Sequence, residues 1–283
     1  MKKKKYNKIS LIIFIATLVF LFLGFIFAPN DPRKVDMQNR FAAPNSQYPF
    51  GTDDMGRCIF SRVLEGGYVT IGITILSALL VSLFGTLIGL LIVRNKDRGS
   101  FFIDSLLNAV TAIPPITYLI IFIGIWGNSI PTMIIALTAS LILRMIKLVK
   151  SLAEVELSKA YIMCAISSGA NRFRILFWHI LPNIKSDILH FLCVSSAEMI
   201  MSISGFSFIG LTLGEDVIDW GSMISSARTY MTTNPGLIYY PVFFVFLSTL
   251  AFTQIGRSIK REEQYDWNKR FKRFRKKRKK TFR

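Results

Sequence analysis

The stretch YIMCAISSGANRFRILFWHILPN, residues 161–183, lies between two long apolar runs. It is too polar to cross a membrane and too regular to be a loose loop. Apolar or small residues recur in it at steps of three and four, the spacing of one face of an α-helix. These positions are Ile162, Ile166, Gly169, Phe173, Leu176 and Ile180. We expect an amphipathic helix that bends at Gly169 and ends at Pro182, just before the next span.

The apolar face of this helix has three possible destinations. It can lie on the lipid surface, pack against its own bundle, or fill a groove in a cytoplasmic partner. Lys159, Arg172 and Arg174 project away from it. Periodicity alone leaves these alternatives open.

The composition identifies a polytopic membrane protein. Of the 283 residues, 52% are hydrophobic, and the mean hydropathy is +0.44. The apolar residues fall in runs close to the roughly 20 that span a bilayer. They predict an all-α protein with about six transmembrane helices, at Ile9–Ala28, Val69–Val93, Phe101–Trp126, Ile130–Val149, Ile188–Leu211 and Leu237–Ile255.

The basic residues give the orientation. Of the 35 Lys and Arg residues, 29 lie in alternate segments that fall on one side of the membrane. The positive-inside rule places that side, with both termini and residues 161–183, in the cytoplasm. The segment between the first two spans then lies outside the cell.

Several classes of function lack support in the sequence. The three cysteines have no metal-ligand or disulfide spacing, and the two histidines are far apart. A phosphate-binding glycine loop and the motifs of intramembrane enzymes are missing, so this chain is not expected to be an enzyme. The net charge of +18 lies mostly in the tail, residues 259–283. We interpret the tail as an anchor at the anionic inner leaflet rather than a nucleic-acid site, with lipid-specific or RNA contact as the alternatives.

Three features inside the spans suggest packing or movement. GTLIG, residues 85–89, is a small-xxx-small pattern that lets helices approach closely. Pro114 and Pro115 should kink or open the third span, as a structural bend or as a hinge. Glu198, inside the fifth span, either faces a watery path or makes an interhelical hydrogen bond.

Several motifs resemble those of one family, the permease subunits of binding-protein-dependent ABC importers. Gly169 followed by HILPN at residues 179–183 resembles the family's cytoplasmic EAA loop. PFGTDDMGRCIFSR at residues 49–62 resembles the external signature of the dipeptide, oligopeptide and nickel subfamily. SGFSFIGL at residues 204–211 and DWGSMISSAR at residues 219–228 resemble two further elements of that subfamily. The motifs stand in the order usual for the family, and the chain resembles the second of the two permeases in such importers.

The resemblance implies a type I importer (MetI-like) transmembrane domain whose EAA helix seats in a groove of an ATP-binding subunit. ATP and Mg would be used by the partners, and this chain would bind no cofactor or metal. The implied partners are a second homologous permease, two ATP-binding subunits, an external solute-binding protein and membrane lipid, with no nucleic acid. The residues implied in ATPase coupling are Tyr161, Ile162, Met163, Cys164, Ala165, Ile166, Gly169, Ala170, Arg172, Phe173, Arg174, Leu181 and Pro182.

Two further residue sets follow from the same resemblance. The external motif comprises Gly51, Thr52, Asp53, Gly56, Arg57, Ser61 and Arg62, which either form a turn that caps the second span or contact the solute-binding protein. The candidate translocation path comprises Pro114, Pro115, Glu198, Ser204, Gly205, Ser207 and Phe208. We divide the chain into an N-terminal helix and external segment (1–68), a core domain (69–258) with a coupling loop at about 150–187, and a basic tail (259–283).

The sequence also departs from the family pattern. Met163, Cys164 and Ala165 stand where Glu-Ala-Ala is usual, so the acidic residue of the loop is missing, and Cys58 replaces an Asp. Arg172 and Arg174 are expected to pair with acidic residues at the rim of the groove. The solute is expected to be a peptide, nickel or a metal chelate, with a lean toward the metal branch from SGFSF. A non-coupling subunit, or a channel or scaffold that recruits cytoplasmic proteins, is the alternative.

Overall fold

The computed structural model describes residue 12 and residues 28–93, 98–214 and 216–281. Within these ranges the chain is built from helices. They are α1 (Ile59–Ile92), α2 (Arg98–Thr111), α3 (Pro115–Trp126), α4 (Ile130–Leu157), α5 (Ala160–Ser167), α6 (Arg172–Phe208), α7 (Trp220–Ala227) and α8 (Gly236–Thr281).

Four of the described helices are long and apolar enough to cross a membrane: α1, α4, α6 and the first part of α8, Gly236–Lys260. A fifth span is possible if α2 and α3 count together, since they meet at a bend of 76°. The expected span Ile9–Ala28 lies outside the described residues apart from residues 12 and 28. The all-α membrane architecture is confirmed, and the count of six spans is not.

The span boundaries differ from those that hydropathy predicts. α1 begins at Ile59 rather than Val69, α4 continues to Leu157 rather than Val149, and α6 begins at Arg172 rather than Ile188. Hydropathy falls where a helix leaves the hydrocarbon core, but the helical hydrogen bonds continue beyond that point. The helices are therefore longer than their apolar segments. α8 likewise runs without interruption to Thr281.

α1 and α4 lie close together at two glycines of α1. A Cβ atom on Gly85 would lie 2.6 Å from the Met145 Cγ atom, and one on Gly89 would lie 2.8 Å from the Val149 Cβ atom. Met145 and Val149 are fully buried there. This confirms the packing role of the small-xxx-small pattern.

Two apolar clusters hold the bundle together. One joins α1, α3, α4, α5 and α6, and the other joins α1 and α6 to α7 and α8. Trp220 is fully buried in the second, and its indole Nε1–H donates to the Val63 carbonyl at 2.9 Å. An ion pair also links two of the helices: buried Lys150 of α4 pairs with Asp104 of α2 at 2.5 Å. Lys150 pairs with Glu154 of its own helix at 2.8 Å.

The external segment, residues 28–58, forms a cap over the outer ends of the helices. Arg33 pairs with Glu65 of α1 at 2.5 Å and donates to the Asp216 carbonyl at 3.3 Å. Phe41 packs edge-on against Tyr230 at 5.1 Å, and Phe50 stacks on Tyr240 at 4.1 Å. The cap therefore joins the start of α1 to segments near the end of the chain.

Candidate coupling site

The stretch 161–183 consists of two helices rather than one bent helix. α5 ends at Ser167, and Gly169 follows in the left-handed region with φ of +81°. The Gly169 N–H donates to the Ile166 carbonyl (2.9 Å) and the Ala170 N–H to the Ala165 carbonyl (3.0 Å), a Schellman ending. The Asn171 side chain then accepts the Arg174 N–H at 2.8 Å and caps α6. The expectation of a single helix with a bend at Gly169 is wrong, because both helix ends are capped here.

Pro182 also lies in a different place from the one expected. It sits inside α6, directly after a wide π-helical turn at Ile175–Ile180, and the helix continues through it to Phe208. A π-helical turn changes the hydrogen-bond register, so the ring and the missing N–H are accommodated without a break. The prediction that Pro182 ends the helix is therefore wrong. From Arg172 onward the end of the loop and the following span form one continuous helix.

α5 has one face against the bundle and one face toward solvent. Ile162 is fully buried in the apolar cluster, and Ala170 and Leu181 pack against that cluster from the flanks. Met163 is 59% exposed, Ile166 47% and Phe173 62%. Cys164, Gly169 and Arg174 are exposed beside them, and Ala165 is half-buried. We call Met163, Ile166 and Phe173 the docking face, because it is apolar and uncovered in this chain.

Arg172 has a different partner from the one expected. Its guanidinium donates to the Leu91 carbonyl at 3.3 Å and to the Val93 carbonyl, the last carbonyls of α1. A cation at the C-terminal end of a helix is favoured by the helix dipole and by the unpaired carbonyls there. Arg172 therefore fastens the loop to α1. Arg172 and Arg174 are both exposed, but Arg172 is already engaged by these carbonyls.

Tyr161 connects the loop to both neighbouring spans. Its hydroxyl donates to the Glu156 Oε2 atom at the end of α4 (2.7 Å) and accepts from the Asn183 Nδ2 atom in α6 (2.9 Å). Glu156 also pairs with the Lys159 ammonium. Burial and the bonded Glu156 carboxylate raise the pKa of Tyr161 to about 12. A tyrosine hydroxyl is protonated at neutral pH in any case, and the raised pKa of Tyr161 extends its role as a donor to more alkaline pH.

The external motif forms a turn at the start of α1. The Asp53 carboxylate accepts the N–H groups of Met55 and Arg57, both at 2.9 Å, and the Arg57 Nε–H at 2.7 Å. Arg62 approaches the same carboxylate at 3.5 Å. Gly51 and Gly56 have φ of +77° and +74°, and a Cβ atom on Gly56 would lie 1.7 Å from the Asp36 carbonyl oxygen. This geometry supports the capping interpretation, since Thr52, Asp53 and Ser61 are buried within the chain.

Glu198 lies on an open face of the spans. It pairs with Arg144 of α4 at 3.8 Å, with side chains 56% and 33% exposed. Gly205 lies about two helical turns beyond Glu198 on α6. It is exposed, and a Cβ atom there would have no neighbour within 4 Å. We call Arg144, Glu198 and Gly205 the polar face. Charged groups in a span avoid lipid, so this face points to water or to a partner.

The remaining path candidates separate into two groups. Ser204 and Ser207 are buried against α7, where a Cβ atom on Gly221 would lie 2.3 Å from the Ser204 carbonyl oxygen and 2.7 Å from the Ser207 Cβ atom. They therefore do not belong to the polar face, because the close approach of α7 covers them. Phe208 is 37% exposed at the end of α6.

Pro114 and Pro115 stand at the 76° break between α2 and α3. The Val110 carbonyl at the break accepts both the Ile113 N–H and the Tyr118 hydroxyl, each at 3.2 Å. The expected interruption of the third span is confirmed. Across the described ranges, His, Cys, Asp and Glu side chains form no group of three or more that could hold a metal ion.

Sequence reasoning missed three residues of these sites: Arg144, Glu156 and Asn183. Each acts through a partner on another helix, and spacing along one helix carries no information about such a partner. Asn183 stood in the quoted HILPN motif. Asn183 directly follows a proline, and a side-chain donor at such a position can donate a hydrogen bond to a nearby backbone carbonyl. This was the sequence signal that could have identified Asn183. In the structure it donates to the His179 carbonyl at 2.7 Å.

The sequence profile of the family described as binding-protein-dependent transport system inner membrane component matches residues 81–261. Over 263 residues the chain is 27% identical to the dipeptide transport system permease protein of Alkalihalophilus pseudofirmus, covering 92% of this chain and 86% of that one. It is 31% identical over 252 residues to a glutathione transport system permease protein of Shigella dysenteriae, covering 89% and 83%. It is 28% identical over 236 residues to the nickel transport system permease protein of Escherichia coli K12, covering 82% and 84%.

The fold also has a counterpart among solved structures. A chain of the inward-facing MetNI methionine ABC transporter superposes with a TM-score of 0.56 at 16% identity, covering 70% of this chain and 95% of that one. At this identity the likeness concerns the fold alone. The sequence matches show that the chain belongs to the binding-protein-dependent transport system inner membrane component family, as a permease subunit of a bacterial ABC importer of the dipeptide, oligopeptide and nickel group, in the cytoplasmic membrane.

Proposed function

We propose that this permease couples to ATP-binding subunits through α5, whose docking face seats in a groove of one such subunit. The observation that carries the proposal is that α5 buries Ile162, while Met163 and Ile166 of α5 and Phe173 at the start of α6 form the exposed docking face. A short helix with an uncovered apolar face on the cytoplasmic side fits helix-in-groove recognition. ATP and Mg are bound by the partners, and this chain carries no cofactor.

The composition of the docking face defines the expected groove. Met163 replaces the usual acidic residue, so the contact at this position is apolar rather than ionic. Methionine is flexible and adapts to irregular apolar surfaces. Arg174, exposed beside the docking face, is the cation that remains for an acidic residue at the groove rim.

A second homologous permease completes the translocation path in this proposal. Arg144 and Glu198 are charged, partly exposed, and located on two spans. The charged groups of the polar face are therefore hydrated if this face lines an aqueous path between the two permeases. Gly205 and Phe208 lie toward the outer end of that path, and the break at Pro114 and Pro115 is a candidate hinge. Transport follows alternating access, biased by ATP binding to the partners.

The solute is proposed to be a peptide-like compound, nickel or a metal chelate. The similar permeases carry names that refer to dipeptide, glutathione and nickel transport. An external solute-binding protein would deliver the solute and carry most of the selectivity. The SGFSF element at residues 204–208 favours the metal branch.

The domain division remains part of the proposal. The N-terminal part (1–68) supplies an added helix and the external cap, the core (69–258) supplies the path and the coupling loop at about 150–187, and the tail (259–283) anchors the inner end. The tail's basic residues favour contact with anionic lipid.

Affinity purification of the tagged permease in mild detergent, followed by mass spectrometry, tests this assembly. We expect a second permease, two ATP-binding subunits and a solute-binding protein, whose ligand then names the solute. Recovery of this chain alone, under conditions that preserve an ABC importer of known composition, would contradict the proposal and favour a channel or a scaffold.

A further inference from the structure

One hydroxyl group joins the three segments of the coupling loop. The Tyr161 hydroxyl donates to the Glu156 Oε2 atom (2.7 Å) and accepts from the Asn183 Nδ2 atom (2.9 Å). Glu156 belongs to the end of α4, Tyr161 to α5, and Asn183 to α6. Both bonds therefore cross from the docking helix to a membrane span.

The docking helix has few other attachments that resist rotation. α5 has eight residues, which corresponds to a length of about 12 Å. Ile162 is its only buried residue in the structure as described. A short helix held by one apolar side chain is free to roll about its axis, because apolar contact is not directional. A directional bond beside that side chain prevents the roll.

Tyr161 occupies the position that this restraint requires. It directly precedes Ile162, so its side chain projects about 100° around the helix from the apolar anchor. The Glu156 carboxylate is mostly buried, with 10% of its side chain exposed, and a hydrogen bond to a buried charged acceptor is stronger than one between neutral groups. Asn183 in turn is held by its bond to the His179 carbonyl at 2.7 Å.

We propose that Tyr161 is a positioning residue for coupling: its hydroxyl fixes the roll angle of α5, so that a displacement of the docking face moves α4 and α6 instead of turning α5 on itself. This inference rests on the proposed function, because it takes α5 to be the element that the ATP-binding subunit grips. It concerns the hydroxyl only. The ring of Tyr161, which is 40% exposed with the rest of the residue, is left unchanged by the test.

The test is Tyr161→Phe in the transporter purified with its partners, in a chain whose three cysteines are replaced by alanine. Glu198→Cys is then added as a reporter on the polar face. The readout is the change that ATP and vanadate cause in the rate at which sulfonatoethyl methanethiosulfonate labels this cysteine. ATP hydrolysis and subunit stoichiometry are measured on the same sample. This readout needs no knowledge of the solute.

We expect Tyr161→Phe to retain its partners and to hydrolyse ATP, while the ATP-dependent change in labelling falls about fivefold, as the loss of hydrogen bonds of ordinary strength predicts. Ser168→Ala is the matched control, because it removes a hydroxyl at the C-cap of α5 whose bond, to the Cys164 carbonyl at 2.8 Å, reaches neither membrane span. It should keep the labelling change of the parent protein. Asn183→Leu, which removes the other partner, should reproduce the loss.

Two results would overturn the inference. One is a Tyr161→Phe transporter with the full ATP-dependent change in labelling. The other is a parallel loss of partners, ATP hydrolysis and labelling change, which a merely structural role predicts. The proposed function is tested separately by Ile166→Glu on the docking face. If that variant keeps its ATP-binding subunits and its labelling change, α5 is not the docking element, whatever Tyr161→Phe does.

Discussion

At the scale of single residues, Gly169 determines where the docking helix stops. Its φ of +81° is accessible to glycine and costs about 1–2 kcal/mol for most other residues. The strain of a substitution would come from the backbone, since a Cβ atom here meets open space. Because Gly169 is exposed next to the docking face, a large side chain would also obstruct the partner.

We therefore expect Gly169→Trp to lose most transport while membrane insertion and cellular amount stay close to normal. Gly169→Asn is the matched control, because asparagine adopts the left-handed conformation more readily and is small. Solute uptake by cells and immunoblots of the membrane fraction measure the two quantities. Normal uptake by the Trp variant would count against docking through this loop.

At the scale of elements, sequence reasoning found the spans more reliably than their ends or their partners. Long apolar runs predicted α4 and α6, because burial in lipid requires them. The helix break between Ser167 and Arg172 was not predicted. Leu176 and Ile180 continue the helical spacing of apolar residues that begins at Ile162, so the hydrophobic pattern looks unbroken across the gap. The glycine and the capping Asn171 were the local signals for it.

Partners across helices were the second limit. Arg172 was assigned to an ion pair with another subunit, yet it binds the last carbonyls of α1. A sequence shows that a side chain can donate hydrogen bonds, but it does not show which acceptor lies beside that side chain in the folded protein. The glycine spacing on α1 predicted a close approach to another helix, and the structure identifies that helix as α4.

The α1–α4 contact gives a prediction of its own. Gly89→Val should destabilise the protein by about 1–3 kcal/mol, because the added side chain overpacks the contact with Val149. Gly124→Val on α3 is the matched control, since a Cβ atom there has no neighbour within 4 Å. Thermal unfolding in detergent, followed by size-exclusion chromatography, compares the two. Equal midpoints would show that α1 and α4 separate without cost.

At the scale of the whole molecule, one face of the described helices carries charged groups that are not fully buried. Arg144 and Glu198 are charged groups in spans, yet both remain partly exposed. Glu198 and Leu189 lie on opposite sides of α6, since nine residues correspond to about 900° of helical rotation. Leu189 is apolar and 48% exposed, as expected of a lipid-facing position.

This difference predicts the accessibility of the two faces in the assembled transporter. In the cysteine-free chain, Glu198→Cys should react with a water-soluble thiosulfonate about tenfold faster than Leu189→Cys, because the reactive thiolate forms in water and not in lipid. Labelling rates in membrane vesicles measure this ratio. Equal rates, or faster labelling at position 189, would remove the polar face from the path.

The external cap also constrains how the protein is made. Residues 28–58 are synthesised early, but they are fastened by Asp216, Tyr230 and Tyr240, which leave the ribosome much later. Arg33 can pair with Glu65 as soon as α1 is made, but Phe50 lacks its stacking partner Tyr240 until α8 is synthesised. The cap of the nascent permease is therefore completed in steps, and its last contact forms only when the final span is present.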